Sequence, residues 1–153
     1  MVALVILSRM AISVVPVILL PTMDSDRFER CSFSLNDAES LLTISMTELP
    51  PYIIHFHRLS WHRFTPHADC GPGLTMGCDM AVAEVAGSPA LKAYVQKASL
   101  SPRDAAQLRH YRIYLGKGGC HEAFAQSVYG SGAGKFSRRL AAFVNGLKLR
   151  FRR

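Results

Sequence analysis

The chain has 153 residues, a formal net charge of +7, and 49% hydrophobic against 19% charged residues. This length suits one domain with a real core, and so apolar a composition excludes a wholly disordered chain. Four cysteines are too few for the disulfide scaffold of a small secreted protein.

The first feature along the chain is an apolar segment at residues 2–22. Its length suits a membrane helix, although Arg9 interrupts it. The segment also fits a cleaved or targeting sequence or a pair of buried strands at 2–7 and 11–20. A further alternative is that the protein starts at Met23 and the residues before it are a start-site artefact. The localisation therefore stays open, with a membrane-associated or an organellar protein among the alternatives.

The next stretch combines a helical pattern, an alternating pattern and a loop pattern. Ser34 is a helix-capping residue, and leucines follow it near helical spacing until two prolines end the helix after residue 49. The alternation near residues 52–58 predicts a short strand. Residues 60–78 hold prolines, glycines, histidines and cysteines, and favour a loop.

The second half of the chain repeats a strong helix signal. Ser-Pro pairs at Ser88 and Ser101 each supply a capping hydroxyl followed by a first-turn proline. The helices expected in this half lie at residues 80–86, 90–98, 102–115, 120–129 and 136–145. A glycine-rich hinge at residues 130–134 precedes the last of them.

The fold class predicted from these patterns is mainly α. We expect a small helical domain with a short strand near residues 52–58 and an apolar N-terminal segment. The expected divisions are the apolar segment 1–22, a helical domain 23–134 with its His/Cys-containing loop at 60–78, and a basic amphipathic segment 135–153.

The positive charge is concentrated towards the C-terminal end. Residues 109–153 hold ten Lys or Arg and a single acid, Glu122, whereas residues 1–108 have a net charge of −2. A basic end interleaved with phenylalanines indicates a polyanionic partner such as RNA. On a helix, Arg109 and Arg112 would share one face with each other. The residues expected to bind the polyanion are Arg109, Arg112, Lys135, Arg138, Arg139, Lys148, Arg150, Arg152 and Arg153.

A metal site is a second candidate. His67 and Cys70 have the spacing of a zinc-ligand pair, and Cys78 would be a third ligand. Cys120 could complete the tetrahedral set from a distance. Because the second close pair of a zinc ribbon is missing, ordinary loop and core roles are the alternative. Zinc is the one cofactor for which the sequence offers candidate ligands, and no other cofactor is expected.

Two incomplete motifs argue against enzyme classes. The loop at residues 130–135 lacks the first glycine and the final Ser or Thr of a P-loop, so NTP hydrolysis is not expected. His121 and Glu122 begin like a zinc-protease helix, but the second histidine is missing at position 125. Whether the protein is an enzyme therefore stays open, with a protein that is not an enzyme favoured.

Three functions follow from these features. The leading hypothesis is a non-enzymatic accessory protein that binds RNA or another polyanion through its basic C-terminal segment, inside a larger assembly. The first alternative is a membrane-anchored subunit of a membrane complex, held by residues 2–22. The second is a small zinc-binding protein that uses His67, Cys70 and Cys78.

Overall fold

The computed structural model describes residues 12–20, 25–35 and 39–131, and within them nine strands form two antiparallel sheets. The strands are β1 (Ser13–Leu19), β2 (Phe28–Ser34), β3 (Glu39–Met46), β4 (Leu49–His57), β5 (Trp61–Thr65), β6 (Ala81–Ala86), β7 (Arg109–Tyr114), β8 (Cys120–Ala125) and β9 (Ser127–Ser131). One sheet has the order β1-β6-β7-β8-β5 and the other the order β2-β3-β4-β9.

Short helices connect some of these strands. Those in the described residues are α1 (Pro72–Thr75), α2 (Pro89–Lys97) and α3 (Pro102–Gln107), with 3-10 turns at Ser25–Arg27, His67–Asp69 and Gly116–Gly118. The hydroxyl of Ser88 accepts a hydrogen bond from the amide of Leu91, and that of Ser101 from the amide of Asp104. Both predicted Ser-Pro caps are therefore confirmed.

The core lies between the two sheets. Burial alternates strictly along β3, where Leu42 and Ile44 are fully buried, because successive side chains of a strand point to opposite faces. One cluster joins such side chains of the four-stranded sheet to Val82, Ile113 and their neighbours in the five-stranded sheet. The two sheets therefore pack face to face as a β-sandwich.

The prediction of a mainly α fold is wrong. The expected helices at 80–86 and 120–129 are strands β6, β8 and β9, and the helix expected after Ser34 is strand β3. Strands β6 and β8 are buried on both faces, so they show no alternation of apolar and polar residues. A short buried strand cannot be told from a buried helix by periodicity alone.

The other elements predicted between residues 52 and 115 are partly corrected and partly confirmed. The helix expected over 102–115 ends at Gln107, and β7 follows it. The loop expected over 60–78 contains β5. The strand expected near 52–58 is confirmed as part of β4, and the helix expected over 90–98 is confirmed as α2.

Strand β1 tests two of the interpretations of the apolar N-terminal segment, the membrane helix and the pair of strands. Ser13–Leu19 pairs with β6 in the five-stranded sheet, so the prediction of a membrane helix across residues 2–22 is wrong. None of the helices in the described part of the chain is long and apolar enough to cross a membrane. Of the two buried strands expected there, the one at 11–20 is present as β1, but most of its side chains are exposed or half-buried, so its expected burial is wrong. The one at 2–7 lies outside the described residues.

The basic C-terminal segment also lies outside the described residues, which end at Ser131. This holds for the expected helix at 136–145 and for the polyanion-binding candidates Lys135, Arg138, Arg139, Lys148, Arg150, Arg152 and Arg153.

Candidate functional site

A row of charges crosses the face of the five-stranded sheet that points away from the sandwich core. Glu122 on β8 is the register partner of Arg63 on β5 and of Arg112 on β7. Residues directly opposite each other on adjacent strands point to the same face. The carboxylate of Glu122 therefore lies between two guanidinium groups.

Both guanidinium groups bind this carboxylate directly. The Nε of Arg63 donates to Oε2 of Glu122 at 2.9 Å, and its second terminal nitrogen also contacts that oxygen. Arg112 donates from Nη2 to Oε1 at 3.1 Å. Burial by itself would raise the pKa of Glu122, but the nearby ring N–H of His110, the hydrogen bonds from Arg63 and the charges of Arg112 and Arg63 outweigh it and lower the pKa to about 2.

A histidine and a serine extend the row towards α2. The Nδ1 of His110 lies 2.7 Å from Oγ of Ser88, and its Nε2 lies 3.2 Å from Oε1 of Glu122. An ionised carboxylate can only accept hydrogen bonds, so the ring hydrogen belongs on the nitrogen that faces Glu122, and the hydroxyl of Ser88 then donates to Nδ1. This arrangement assigns the ring N–H of His110 to Nε2, facing Glu122.

Two nitrogens of this cluster lack hydrogen-bond partners. Among the described residues, the buried side-chain nitrogen and oxygen atoms without a partner are Nε2 of His110 and Nε of Arg112. The contact between His110 and Glu122 has the distance of an ion pair without the alignment of a hydrogen bond. Buried N–H groups of native proteins nearly always have partners, so an unpaired one points to a catalytic role, a water or a ligand.

A cavity opens beside the cluster. Its volume is about 520 Å³, and Arg63, Ser88, His110, Arg112 and Glu122 form its polar end. The first residues of α2, Pro89 and Ala90, also line it. The remaining wall is mostly apolar and consists of Ile12, Val14, Gly73, Leu74, Met76, Gly77 and Val85. The cavity thus joins a cationic end to an apolar body.

The residues of the zinc hypothesis lie nearby but are bound to other partners. The thiols of Cys78 and Cys120 both donate to the carbonyl of Leu74, at 3.0 Å and 3.7 Å. Cys70 donates to backbone carbonyls, and Nδ1 of His67 lies 2.8 Å from the hydroxyl of Tyr114. Within the described ranges no group of three or more His, Cys, Asp or Glu side chains is arranged to hold a metal ion.

The two arginines expected to share a polyanion-binding face do not share one, because both lie on strand β7. Because they are three positions apart on β7, Arg109 and Arg112 point to opposite sides of the sheet. Arg109 is 45% exposed, donates to the carbonyls of Ala106 and Leu108, and lies 3.7 Å from Glu84. Arg112 is only 11% exposed and binds Glu122.

Sequence analysis missed most of this cluster. Ser88 was identified as a helix cap, Glu122 as part of an incomplete protease motif, and neither Arg63 nor His110 was proposed for a site. One signal was available, because Glu122 is the single acid among the last 45 residues and a lone acid among cations predicts ion pairs. The pairing of β5 with β8 could not be read from the chain, since it joins residues 59 positions apart, and the pairing of β7 with β8 was hidden because both segments were expected to be helices.

Comparisons with family models, with curated proteins and with solved structures found no match to this chain.

Proposed function

We propose that this protein binds a small organic monocarboxylate in the cavity beside Glu122. The observation that carries the proposal is Nε of Arg112, a buried nitrogen without a hydrogen-bond partner in a residue that lines the cavity. Nε2 of His110, which lines the same cavity, faces Oε1 of Glu122 at 3.2 Å but also lacks an aligned hydrogen bond. Both are N–H donors in the arrangement described above, so the group that completes their bonding has to accept hydrogen bonds. A carboxylate supplies two oxygens with several acceptor sites.

The charge of the polar end favours a monoanion. Two guanidinium groups face one ionised carboxylate, Glu122, so the end carries one uncompensated positive charge. Arg63 is 53% exposed and is the guanidinium best placed to meet an entering ligand. The N-terminus of α2 adds a partial positive charge at the same end, because the first amides of a helix point outwards without helical partners.

The size and lining of the cavity favour a ligand with an apolar body. Small-molecule sites typically have volumes of about 300–1,000 Å³ and mostly apolar walls with a few polar groups. The cavity volume of about 520 Å³ lies within that range. Val14, Leu74 and Val85 would remove the hydrocarbon part of such an acid from water.

Calorimetric titration of the full chain with a series of carboxylates tests the proposal. Acetate, octanoate and phenylacetate would each be compared with the corresponding uncharged amide. We expect the longer acids to bind more tightly than acetate, and each acid to bind more tightly than its amide by at least about tenfold, since charge-assisted hydrogen bonds contribute about 1.5–3 kcal/mol.

The matched variants are Arg63→Gln and Arg103→Gln. Arg103 is an exposed cation on α3 that does not line the cavity. Arg63→Gln should weaken carboxylate binding by about tenfold or more, whereas Arg103→Gln should leave it unchanged. Absence of binding by any of the acids, or equal binding by both variants, would contradict the proposal.

Charge separation favours a second function, polyanion binding by the basic C-terminal segment. Residues 12–131 hold ten Lys or Arg against eleven Asp or Glu, whereas residues 132–153 hold seven Lys or Arg and no acid. The cation excess is thus concentrated in one short segment, as expected for a protein that neutralises phosphates. RNA within a larger assembly is the partner that we propose for this segment, with Arg109 as an exposed cation on the body.

RNA binding across a salt series tests this second function. Replacing Lys148, Arg150, Arg152 and Arg153 with glutamine should weaken RNA binding and reduce the salt dependence, because each lost phosphate contact lowers the slope by roughly one. A control variant would replace four exposed cations of the body, namely Arg58, Lys97, Arg103 and Lys117. Equal losses in the two variants, or no RNA binding at low salt, would rule out this segment as the binding site.

A further inference from the structure

We propose that Ser88 is a catalytic nucleophile that hydrolyses carboxylic esters in this cavity, with His110 as its general base and Glu122 as a positioning residue. The inference rests on the proposed function, because the acid released by the reaction is the monocarboxylate that the cavity is proposed to bind.

The geometry of the three side chains matches the requirements of nucleophilic catalysis. A nucleophile has to lie within hydrogen-bond reach of a base, and a third group has to orient that base. The Oγ of Ser88 lies 2.7 Å from Nδ1 of His110, and Nε2 of His110 lies 3.2 Å from Glu122. Catalytic hydrogen bonds of ligand-free enzymes are often poorly aligned and tighten when the substrate binds, which fits the unpaired Nε2 of His110.

The partner of Ser88 is not one that helix capping requires. Ser101 has the same role at the start of α3, accepts the amide of Asp104, and donates its hydroxyl hydrogen to the side chain of that residue at 2.6 Å. Ser88 instead donates to an imidazole on β7, 22 residues away along the chain. Capping needs only an oxygen that accepts a backbone amide, so this hydrogen bond from Ser88 to His110 is additional to the cap.

The first turn of α2, next to Ser88, supplies the group that stabilises the oxyanion of the reaction. α2 has nine residues, and the amide of Ala90 belongs to its first turn, where amides have no helical partner. Such amides stabilise negative charge, and they do so most strongly where water is excluded. Ala90 lines the cavity beside Ser88, and the two are separated only by Pro89, which has no amide hydrogen.

The reaction balances with water as the sole co-reactant. The Oγ of Ser88 attacks the ester carbonyl carbon as its proton moves to Nδ1 of His110, and Glu122 faces the charged imidazole through Nε2. Collapse of the tetrahedral intermediate breaks the carbon–oxygen bond to the alcohol, which leaves with the proton from Nδ1. Water then attacks the acyl-Ser88 carbonyl and gives a proton to Nδ1, and that proton returns to Oγ as the acid is released.

Labelling and hydrolysis by the full chain test the inference. A fluorophosphonate should modify the wild-type protein at Ser88, as located by peptide mass spectrometry, and p-nitrophenyl octanoate should release nitrophenolate. Ser88→Asn removes the nucleophile but keeps a residue that caps helices well, so it should abolish labelling and lower hydrolysis by about 100-fold or more. Ser101→Asn makes the same change at the exposed cap and should alter neither.

The role of Glu122 has its own readout. In Glu122→Gln, kcat for the ester should fall while KM stays within about twofold, because a positioning group acts on the imidazole rather than on the bound substrate. A thermal melt would establish that the variant is folded before its kinetics are interpreted.

Carboxylate binding separates the failure of this inference from failure of the proposed function. Label at a residue other than Ser88, absence of label, or full hydrolysis by Ser88→Asn would overturn the inference. If octanoate still binds in the calorimeter in any of those cases, the proposed function stands without it. If octanoate does not bind either, both fail together.

Discussion

His62 and His121 lie side by side between the two sheets, with Nε2 of His62 3.1 Å from Nδ1 of His121. Phe33 stacks on His62 with ring centroids 3.7 Å apart, and Sγ of Cys31 lies 3.3 Å from Nε2 of His121. Burial, followed by the charge of His62, lowers the pKa of His121 to about 4, and burial also lowers the pKa of His62. Both imidazoles are therefore neutral near neutral pH.

We expect this pair to make the protein sensitive to acid. The unfolded chain protonates His121 near pH 6.5 but the folded protein only near pH 4, so the free energy of unfolding falls as the pH drops through this window. Above pH 6.5 neither state is protonated and His121 adds no pH dependence. A shift of this size costs up to about 3 kcal/mol, and His62 acts in the same direction.

Urea unfolding of two histidine variants at a series of pH values would measure this effect. His121→Asn should flatten the pH dependence of stability between pH 6.5 and 4. His57→Gln, which changes a partly exposed histidine of β4, should leave the slope as it is in the wild type. The same slope in all three proteins would show that the His62–His121 pair does not control acid stability.

The buried carboxylate gives a second prediction. Glu122→Gln should destabilise the fold by about 3–5 kcal/mol, because it leaves the guanidinium of Arg112 buried without its charged partner. Arg109→Gln changes an exposed ion pair and should cost no more than about 1 kcal/mol. Urea midpoints with unchanged m-values would measure both costs, and similar losses in the two variants would contradict the distinction.

Glu122 also predicts a separate loss of stability in stronger acid. Its pKa is about 2 in the folded protein against an ordinary 4.5, so the stability it contributes is complete above pH 4.5 and disappears as the pH falls towards 2. This dependence should be present in His121→Asn and missing in Glu122→Gln, which distinguishes the two acid transitions.

Thiol reactivity gives a third prediction. Cys78 and Cys120 are fully buried, and burial raises the pKa of their thiols to about 11 and about 12. At pH 8 the folded protein should react with iodoacetamide at these two positions at least about 100-fold more slowly than the unfolded chain does, because the thiolate is the reactive form. Peptide mass spectrometry after timed quenching would measure each rate, and equal rates in the two states would contradict the burial of these thiols.

The turn between β7 and β8 gives a fourth prediction. Gly119 has a φ of +75°, and a Cβ there would lie 2.5 Å from the carbonyl oxygen of Thr65. Gly119→Ala should therefore destabilise the protein by more than about 2 kcal/mol. Gly71→Ala adds a Cβ to open space at a φ of −77° and should change stability by less than about 1 kcal/mol. Equal thermal shifts in the two variants would argue against this turn geometry.

The sequence predicted local features better than the pairing of distant segments. The caps at Ser88 and Ser101 were predicted because a side-chain oxygen and the amides that it accepts lie within one turn of chain. Strand β8 was predicted as helix, since its six residues are buried on both faces and show no alternation. Which segments bury the two faces of β8 depends on tertiary packing, and a local sequence pattern carries no information about that packing.

The candidate site follows the same division. Ser88 was recognised through its local role as a cap, whereas its bond to His110 spans 22 residues and that of Arg63 to Glu122 spans 59. These contacts exist only once β5, β7 and β8 are adjacent. A helix over 102–115 would have placed Arg109 and Arg112 on one face. The wrong prediction of a helix therefore produced the wrong prediction of a shared polyanion-binding face.

Neighbouring residues of β8 serve opposite faces of the sheet, His121 among the aromatic rings and Glu122 among the arginines. A shift of this strand by one position would exchange the two, leaving a carboxylate between the sheets and an imidazole facing two unpaired guanidinium groups. The alignment of β8 is therefore enforced by chemistry as well as by shape. A single-residue deletion in the turn at 116–119 would consequently disrupt the contacts of His121 on one face of the sheet and those of Glu122 on the other. We therefore expect this turn to tolerate a change of length far less than an ordinary surface turn does.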